Sequence, residues 1–182
     1  MSAIDNIPSN KNFLSPLGFV FNIKKTPHVN YFIQSATLPG VKLGQSDIQT
    51  PFNKIPLPGD HLEFSNFEIT FRVDEDLKNY EEIFFWMVAL GFPDNFTQFS
   101  KIADKRGSFG GGVSNRATGE GIYSEISLAI LNSVKAPIVE FVFQNAYPVQ
   151  MSDITFDTKM TDVDYIDCTV TFGYDSYMLN RF

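Results

Sequence analysis

The chain has 182 residues, a length that one hydrophobic core accommodates without a metal or disulfide staple. Its net charge of −7 argues against tight nucleic-acid binding, which needs a Lys/Arg surface that releases counterions. Its one cysteine, Cys168, excludes an internal disulfide and a cysteine-based zinc site.

The chain carries 19 Phe and 7 Tyr, residues that favour pleated, half-buried surfaces and protein interfaces, so a β-rich, interface-forming protein is expected. Residues 1–11 are polar and contain Pro8, which does not fit a signal peptide. Apolar runs fall short of the ~20 residues a membrane-spanning helix needs. A soluble protein, made in a reducing cytoplasm and without membrane insertion of its own, is expected.

Residues 1–16 read as an extended arm ended by Pro16. Phe19, Phe21 and Ile23 share one face of a strand over 19–24. A turn over 26–30 and a second strand over 31–36 predict a hairpin. Residues 41–64 are extended chain interrupted by Pro51, Pro56 and Pro58, which suits an edge strand or projecting loop and not a central strand. Pro58-Gly59-Asp60 signals a turn. Residues 67–74 alternate cleanly and predict a strand.

One helix is expected. Asp74, Glu75 and Asp76 suit its N-terminus. Leu77, Tyr80, Phe84 and Met87/Val88 repeat at helical spacing, with Lys78, Glu81 and Glu82 opposite, and Gly91 and Pro93 close it. Phe85 and Trp86 widen the stripe, so part of the helix is expected to meet a neighbouring subunit. Residues 94–121 form a long Gly-rich insertion, and strands follow over 122–130, 138–144, 149–157 and 165–174. The pattern predicts a mainly β single domain over 1–182. Its expected architecture is an antiparallel sandwich or barrel of about seven or eight strands with one packed helix.

Catalytic chemistry finds no footing. His28 and His61 read as surface histidines. Gly107-Ser108-Phe109-Gly110-Gly111-Gly112 lacks the Gly-Lys-Ser/Thr ending of a phosphate loop and reads as a flexible loop. Asp162, Asp164 and Asp167 lack the Gly and closing Glu of a calcium loop and read as a solvated strand end. Neither a serine-nucleophile elbow nor a zinc-protease or dinucleotide motif is present. The expectation is a non-enzyme with no cofactor and no metal.

Two stretches carry a resemblance. Ala36-Thr37-Leu38-Pro39-Gly40 is followed by Asn53-Lys54-Ile55-Pro56-Leu57-Pro58-Gly59-Asp60 and then by Phe67-Glu68-Ile69-Thr70-Phe71-Arg72-Val73-Asp74-Glu75. Tyr147-Pro148, Ile154-Thr155-Phe156-Asp157 and Cys168-Thr169-Val170-Thr171-Phe172-Gly173-Tyr174-Asp175 complete the set. Their order and spacing resemble the tail-tube proteins of contractile-tailed phages. The arm, the Gly-rich insertion and the tail 178–182 depart from the family pattern.

The resemblance implies homo-hexameric rings stacked into a tube, with strands paired between subunits into a continuous inner barrel. DNA would pass through without specific binding. The implied partners are further copies of the chain, the tail sheath, and baseplate or tail-terminator proteins. Phe52, Asn53, Lys54 and Ile55 are candidates for inter-subunit or inter-ring contact, as are Phe109, Gly110 and Gly111.

Two strands offer polar faces for the channel wall. Phe67, Ile69, Phe71 and Val73 take one side of their strand, leaving Glu68, Thr70 and Arg72 on the other. Cys168, Val170 and Phe172 likewise leave Asp167, Thr169 and Thr171. These six are the candidate lumen residues. A baseplate initiator or tube-end ring, a ring of a contractile injection or secretion system, and a carbohydrate-binding sandwich are the alternatives. The first two share the fold, and the third should bind glycans as a monomer.

Overall fold

The computed structural model describes residues 12–91, 122–157, 159 and 165–182. Its strands are β1 (Phe19–Ile23), β2 (Ile33–Thr37), β3 (Val41–Gln49), β4 (Lys54–Phe64), β5 (Phe67–Arg72), β6 (Ser124–Leu131), β7 (Pro137–Met151), β8 (Asp167–Gly173) and β9 (Ser176–Arg181). Two helices, α1 (Pro27–Phe32) and α2 (Lys78–Gly91), interrupt them. The fold is mainly β and antiparallel, as expected, with nine strands and two helices among the described residues against the seven or eight strands and one helix the sequence pattern predicts.

Strand order is β1-β6-β7-β8-β5-β2, with β9 also paired to β7, while β3 and β4 form a separate two-stranded sheet. The first layer is β1-β6-β7-β9, and the second is β7-β8-β5-β2. The strand common to both layers is β7, whose first part pairs with β6 and β9 and whose last residues pair with β8. The change of layer coincides with Asn145, whose φ is 54°. Asparagine tolerates this left-handed geometry because its short polar side chain finds a local partner. Here Nδ2 donates to Asp175 Oδ2 at 2.6 Å. Residues 138–144 and 149–157 were expected as two strands. They share one kinked strand that stops at Met151, and residues 152–157 are not strand.

The inward residues of the two layers make the core. Phe21, Ile23, Ile126, Leu128 and Phe143 face Phe67, Ile69, Phe71, Cys168, Val170 and Phe172, all buried. Phe67 sits at the centre, with ring centroids 4.4 Å from Phe143 and 6.0 Å from Phe21. Burying each such ring contributes about 2–3 kcal/mol. Buried Cys168 is the small core residue its alternating strand predicts.

Three local expectations are corrected. Residues 26–32 are not a turn and strand start: Pro27 occupies the first helical turn of α1, where its fixed φ suits the geometry. Asn30 ties that helix back to β1, accepting from Ile23 N at 2.9 Å and donating to Ile23 O at 3.1 Å. With α1 between them, β1 and β2 do not form a hairpin; β1 pairs with β6 and β2 with β5. On α2 the buried set is Asn79, Glu82, Ile83, Trp86 and Ala89, while Leu77 and Phe84 are exposed. Asn79 is buried because it serves backbone: Nδ2 donates to Arg72 O at 2.8 Å and Oδ1 accepts from Asp74 N at 3.2 Å.

Candidate assembly surfaces

The six candidate lumen residues lie on one surface. β5 and β8 pair as Glu68↔Thr171, Thr70↔Thr169 and Arg72↔Asp167. Their buried neighbours face the core, so all six turn to the opposite side, where each is exposed or half-buried. Arg72 Nε donates to Asp167 Oδ1 at 3.3 Å, and its guanidinium lies 4.0 Å from the Tyr165 ring centroid. The same face continues over Ser35 and Thr37 of β2, opposite Thr70 and Glu68, and over Gln150 of β7, opposite Thr171. Sequence patterning misses these three, because their strands are short or kinked and only the pairing places them. Gly173 keeps the face low. A Cβ there would come within 3.0 Å of the Tyr147 ring.

The second surface is the β3–β4 hairpin, which is the projecting element expected for the Pro-rich stretch. It holds Phe52, Asn53, Lys54 and Ile55 at or beside its tip. Thr50 N and Oγ1 donate to Asn53 O at 3.1 and 2.5 Å, and Asn53 N donates to Thr50 Oγ1 at 3.0 Å. This clamp presents Phe52 at the apex, 98% exposed.

The hairpin's register shifts between Leu43 and Gln45, where Gly44 meets the stretch 59–61. Only glycine fits at 59, because a Cβ would lie 2.7 Å from the Gly44 carbonyl oxygen. The shift has a consequence for patterning. At the base Val41 and Leu43 stand opposite Phe64 and Leu62; at the tip Ile48 and Ser46 stand opposite Ile55 and Leu57. Leu43 and Ile48 differ by an odd number of positions, as do Leu57 and Leu62, so the apolar side changes faces at the bulge.

Edges of the hairpin differ too. Proline cannot donate, so Asp47↔Pro56 and Gln45↔Pro58 are non-hydrogen-bonded pairs whose backbone groups turn outward. The outer edge of β4 therefore lacks donors at 56 and 58. Gln45 and Asp47 keep theirs on the outer edge of β3.

Charged groups also meet between the helices. His28 Nδ1 lies 2.5 Å from Glu82 Oε1, and His28 N donates to Glu82 Oε2 at 3.2 Å. His28 thus has a carboxylate partner from α2, which its sequence neighbourhood does not supply; His61 is exposed on β4. Lys25 Nζ lies 4.9 Å from the buried Trp86 ring centroid, and Trp86 Nε1 donates to Ile122 O at 2.9 Å.

Among the described residues, no group of three or more His, Cys, Asp or Glu is placed to hold a metal ion, and no helix is long and apolar enough to cross a membrane. Phe109, Gly110, Gly111, Asp162 and Asp164 lie outside the described residues.

Comparison with known proteins agrees with this architecture. A curated relative, the tail tube terminator protein of Enterobacteria phage T4, is 25% identical over 157 residues, covering 81% of this chain and 76% of that one. The fold is shared with the tube-terminating cap of the anti-feeding prophage, at a TM-score of 0.58 and 12% identity over the whole of both chains. A chain of the sheath/tube terminator of an extracellular contractile injection system has a TM-score of 0.55 and 14% identity, over 94% of this chain and 99% of that one. The family model for the phage tail tube protein matches residues 6–180. The chain belongs to the phage tail tube protein family.

Proposed function

We propose that the chain forms homo-hexameric rings of a contractile tail tube, with the outer face of β7-β8-β5-β2 lining the channel through which DNA leaves. The observation that carries this is the polar ladder Glu68/Thr171, Thr70/Thr169, Arg72/Asp167 on a sheet whose β2 side has no strand partner among the described residues. Such a sheet can continue from copy to copy, which removes exposed edges. Arg72 is already engaged by Asp167, and Glu68 adds a negative charge without an ion-pair partner among the described residues. A wall of this kind repels DNA weakly and does not hold it by counterion release.

The hairpin tip, Phe52 to Ile55, supplies contact between subunits or rings, and Phe109, Gly110 and Gly111 are assigned the same role. Sheath and baseplate or terminator proteins are the other partners, and no cofactor is required. Within the tube we place the ring at an end, because the curated relative is a tail tube terminator.

Negative-stain microscopy of purified protein tests both levels. Six-fold rings support the assembly; a protein that stays monomeric at all concentrations overturns it. Rings that stop without stacking support the end position, whereas long tubes formed by the protein alone make it the repeating unit.

A further inference from the structure

We propose that Tyr174 is a positioning residue that sets the angle at which the β3–β4 hairpin leaves the sandwich. This rests on the hairpin being an assembly arm. The hairpin forms a sheet of its own, so among the described residues its direction is fixed at its base. Ser65 is at that base, between the end of β4 and the start of β5. Its N–H donates to Gly40 O at 3.1 Å, which joins the two legs, and its carbonyl accepts from Tyr174 Oη at 2.7 Å.

The Tyr174 ring reaches the core as well. Its centroid is 5.0 Å from that of buried Phe143, edge on, and 6.2 Å from that of Phe64, the last residue of β4. Phe64 in turn packs edge on against Tyr177 at 5.4 Å. The chain around Tyr174 is held to the kink in β7: Asp175 N donates to Gln144 O at 3.1 Å, and Asn145 Nδ2 donates to Asp175 Oδ2. One side chain therefore links the crossing point of the two layers to the end of β4 and to Ser65, whose N–H in turn holds Gly40 at the start of the other leg.

Leverage makes this link matter. The nine residues of β3 extend about 30 Å at ~3.3 Å per residue, so a tilt of about 10° at Ser65 moves Phe52 by about 5 Å. Such a displacement exceeds the tolerance of a packed contact.

The test is a tip-to-sheet distance measured by pulsed electron resonance in the full chain, with spin labels at Asn53→Cys and Gln150→Cys and Cys168 left buried. Diluted into an excess of unlabelled chain, so that only pairs within one copy are read, the parent should give one narrow distance. Y174F keeps the ring and loses only the hydroxyl bond. It should broaden the distribution about twofold while the thermal midpoint falls by only about 3 °C. Y174A should broaden it further. Ring formation should weaken in the same order. An unchanged distribution in Y174F and Y174A, both shown to be folded by near-ultraviolet circular dichroism, overturns the proposal. A broadened distribution with undiminished ring formation supports the role of Tyr174 and removes the assembly role of the hairpin.

Discussion

The hydroxyl oxygens of Thr70 and Thr169 lie 3.1 Å apart across β5 and β8, at the middle of the polar sheet face. A cross-strand pair of this kind contributes roughly 0.2–1 kcal/mol. The single variants T70K and T169K should therefore fold and form rings, each with a urea midpoint close to the parent's. If the face lines the channel, DNA delivery by particles carrying either lysine should slow and become salt-sensitive. Normal delivery from both, with the lysines shown to be present, places the channel wall elsewhere.

Trp86 is the only tryptophan in the chain and is 1% exposed, so its fluorescence reports unfolding directly. Trp86→Phe keeps most of the packing but leaves the Ile122 carbonyl without its donor, at a cost of about 1–2 kcal/mol. Trp86→Ala should cost about 3–5 kcal/mol. The Phe variant can be followed by circular dichroism in urea, and equal losses for the two would show that packing plays no part.

Stability should rise and then fall with pH on the alkaline side. Burial lowers Lys25 from 10.5 to about 8. Unfolding between pH 8 and 10.5 therefore takes up a proton, and stability rises with pH by up to about 3 kcal/mol. Burial first, and Tyr177 second, raise Tyr174 from 10 to about 12. Above pH 10 unfolding releases that proton, and stability falls. Lys25→Met should flatten the rise and stabilise the chain at neutral pH, while Tyr174→Phe should flatten the fall. Urea midpoints across pH 7–12 decide both signs.

Phe52→Ala should leave the protomer's unfolding free energy within about 0.5 kcal/mol, because the ring is almost fully exposed at the hairpin apex. Assembly into rings or stacks should fall sharply, as read by sedimentation velocity at micromolar concentration. Unimpaired assembly would separate the tip from the interface.

The alternation of Phe67, Ile69, Phe71 and of Cys168, Val170, Phe172 was legible because each strand buries one side only. That Thr70 and Thr169 meet was not, since register belongs to the pair of strands and neither encodes it alone. Proline spacing pointed to an edge strand or projecting loop but set its turn at Pro58-Gly59-Asp60, which lie within β4; the hairpin turns at Thr50–Asn53 instead. Hydrophobic spacing on α2 favoured Tyr80 and Phe84 over Asn79 and Glu82. The latter two are buried because the Arg72 and Asp74 backbone and His28 satisfy them. Residues 178–182 depart from the family pattern and were not expected as a strand; the strand geometry of β9 comes from pairing with β7, Tyr177, Met178 and Leu179 opposite Phe143, Val142 and Phe141.

Pro56 and Pro58 make the two edges of the hairpin unequal. A ribbon with two donor-bearing edges can extend from either side, and identical ribbons can then propagate without limit. Here the outer edge of β4 lacks donors at 56 and 58, so two hairpins cannot join β4 to β4 or β3 to β4 by a full ladder. A strand added at the tip finds the fuller set of donors along Gln45 and Asp47 of β3. Two prolines two positions apart thus make an exposed, apolar-sided ribbon a terminating connector and deprive it of the means to seed a fibre.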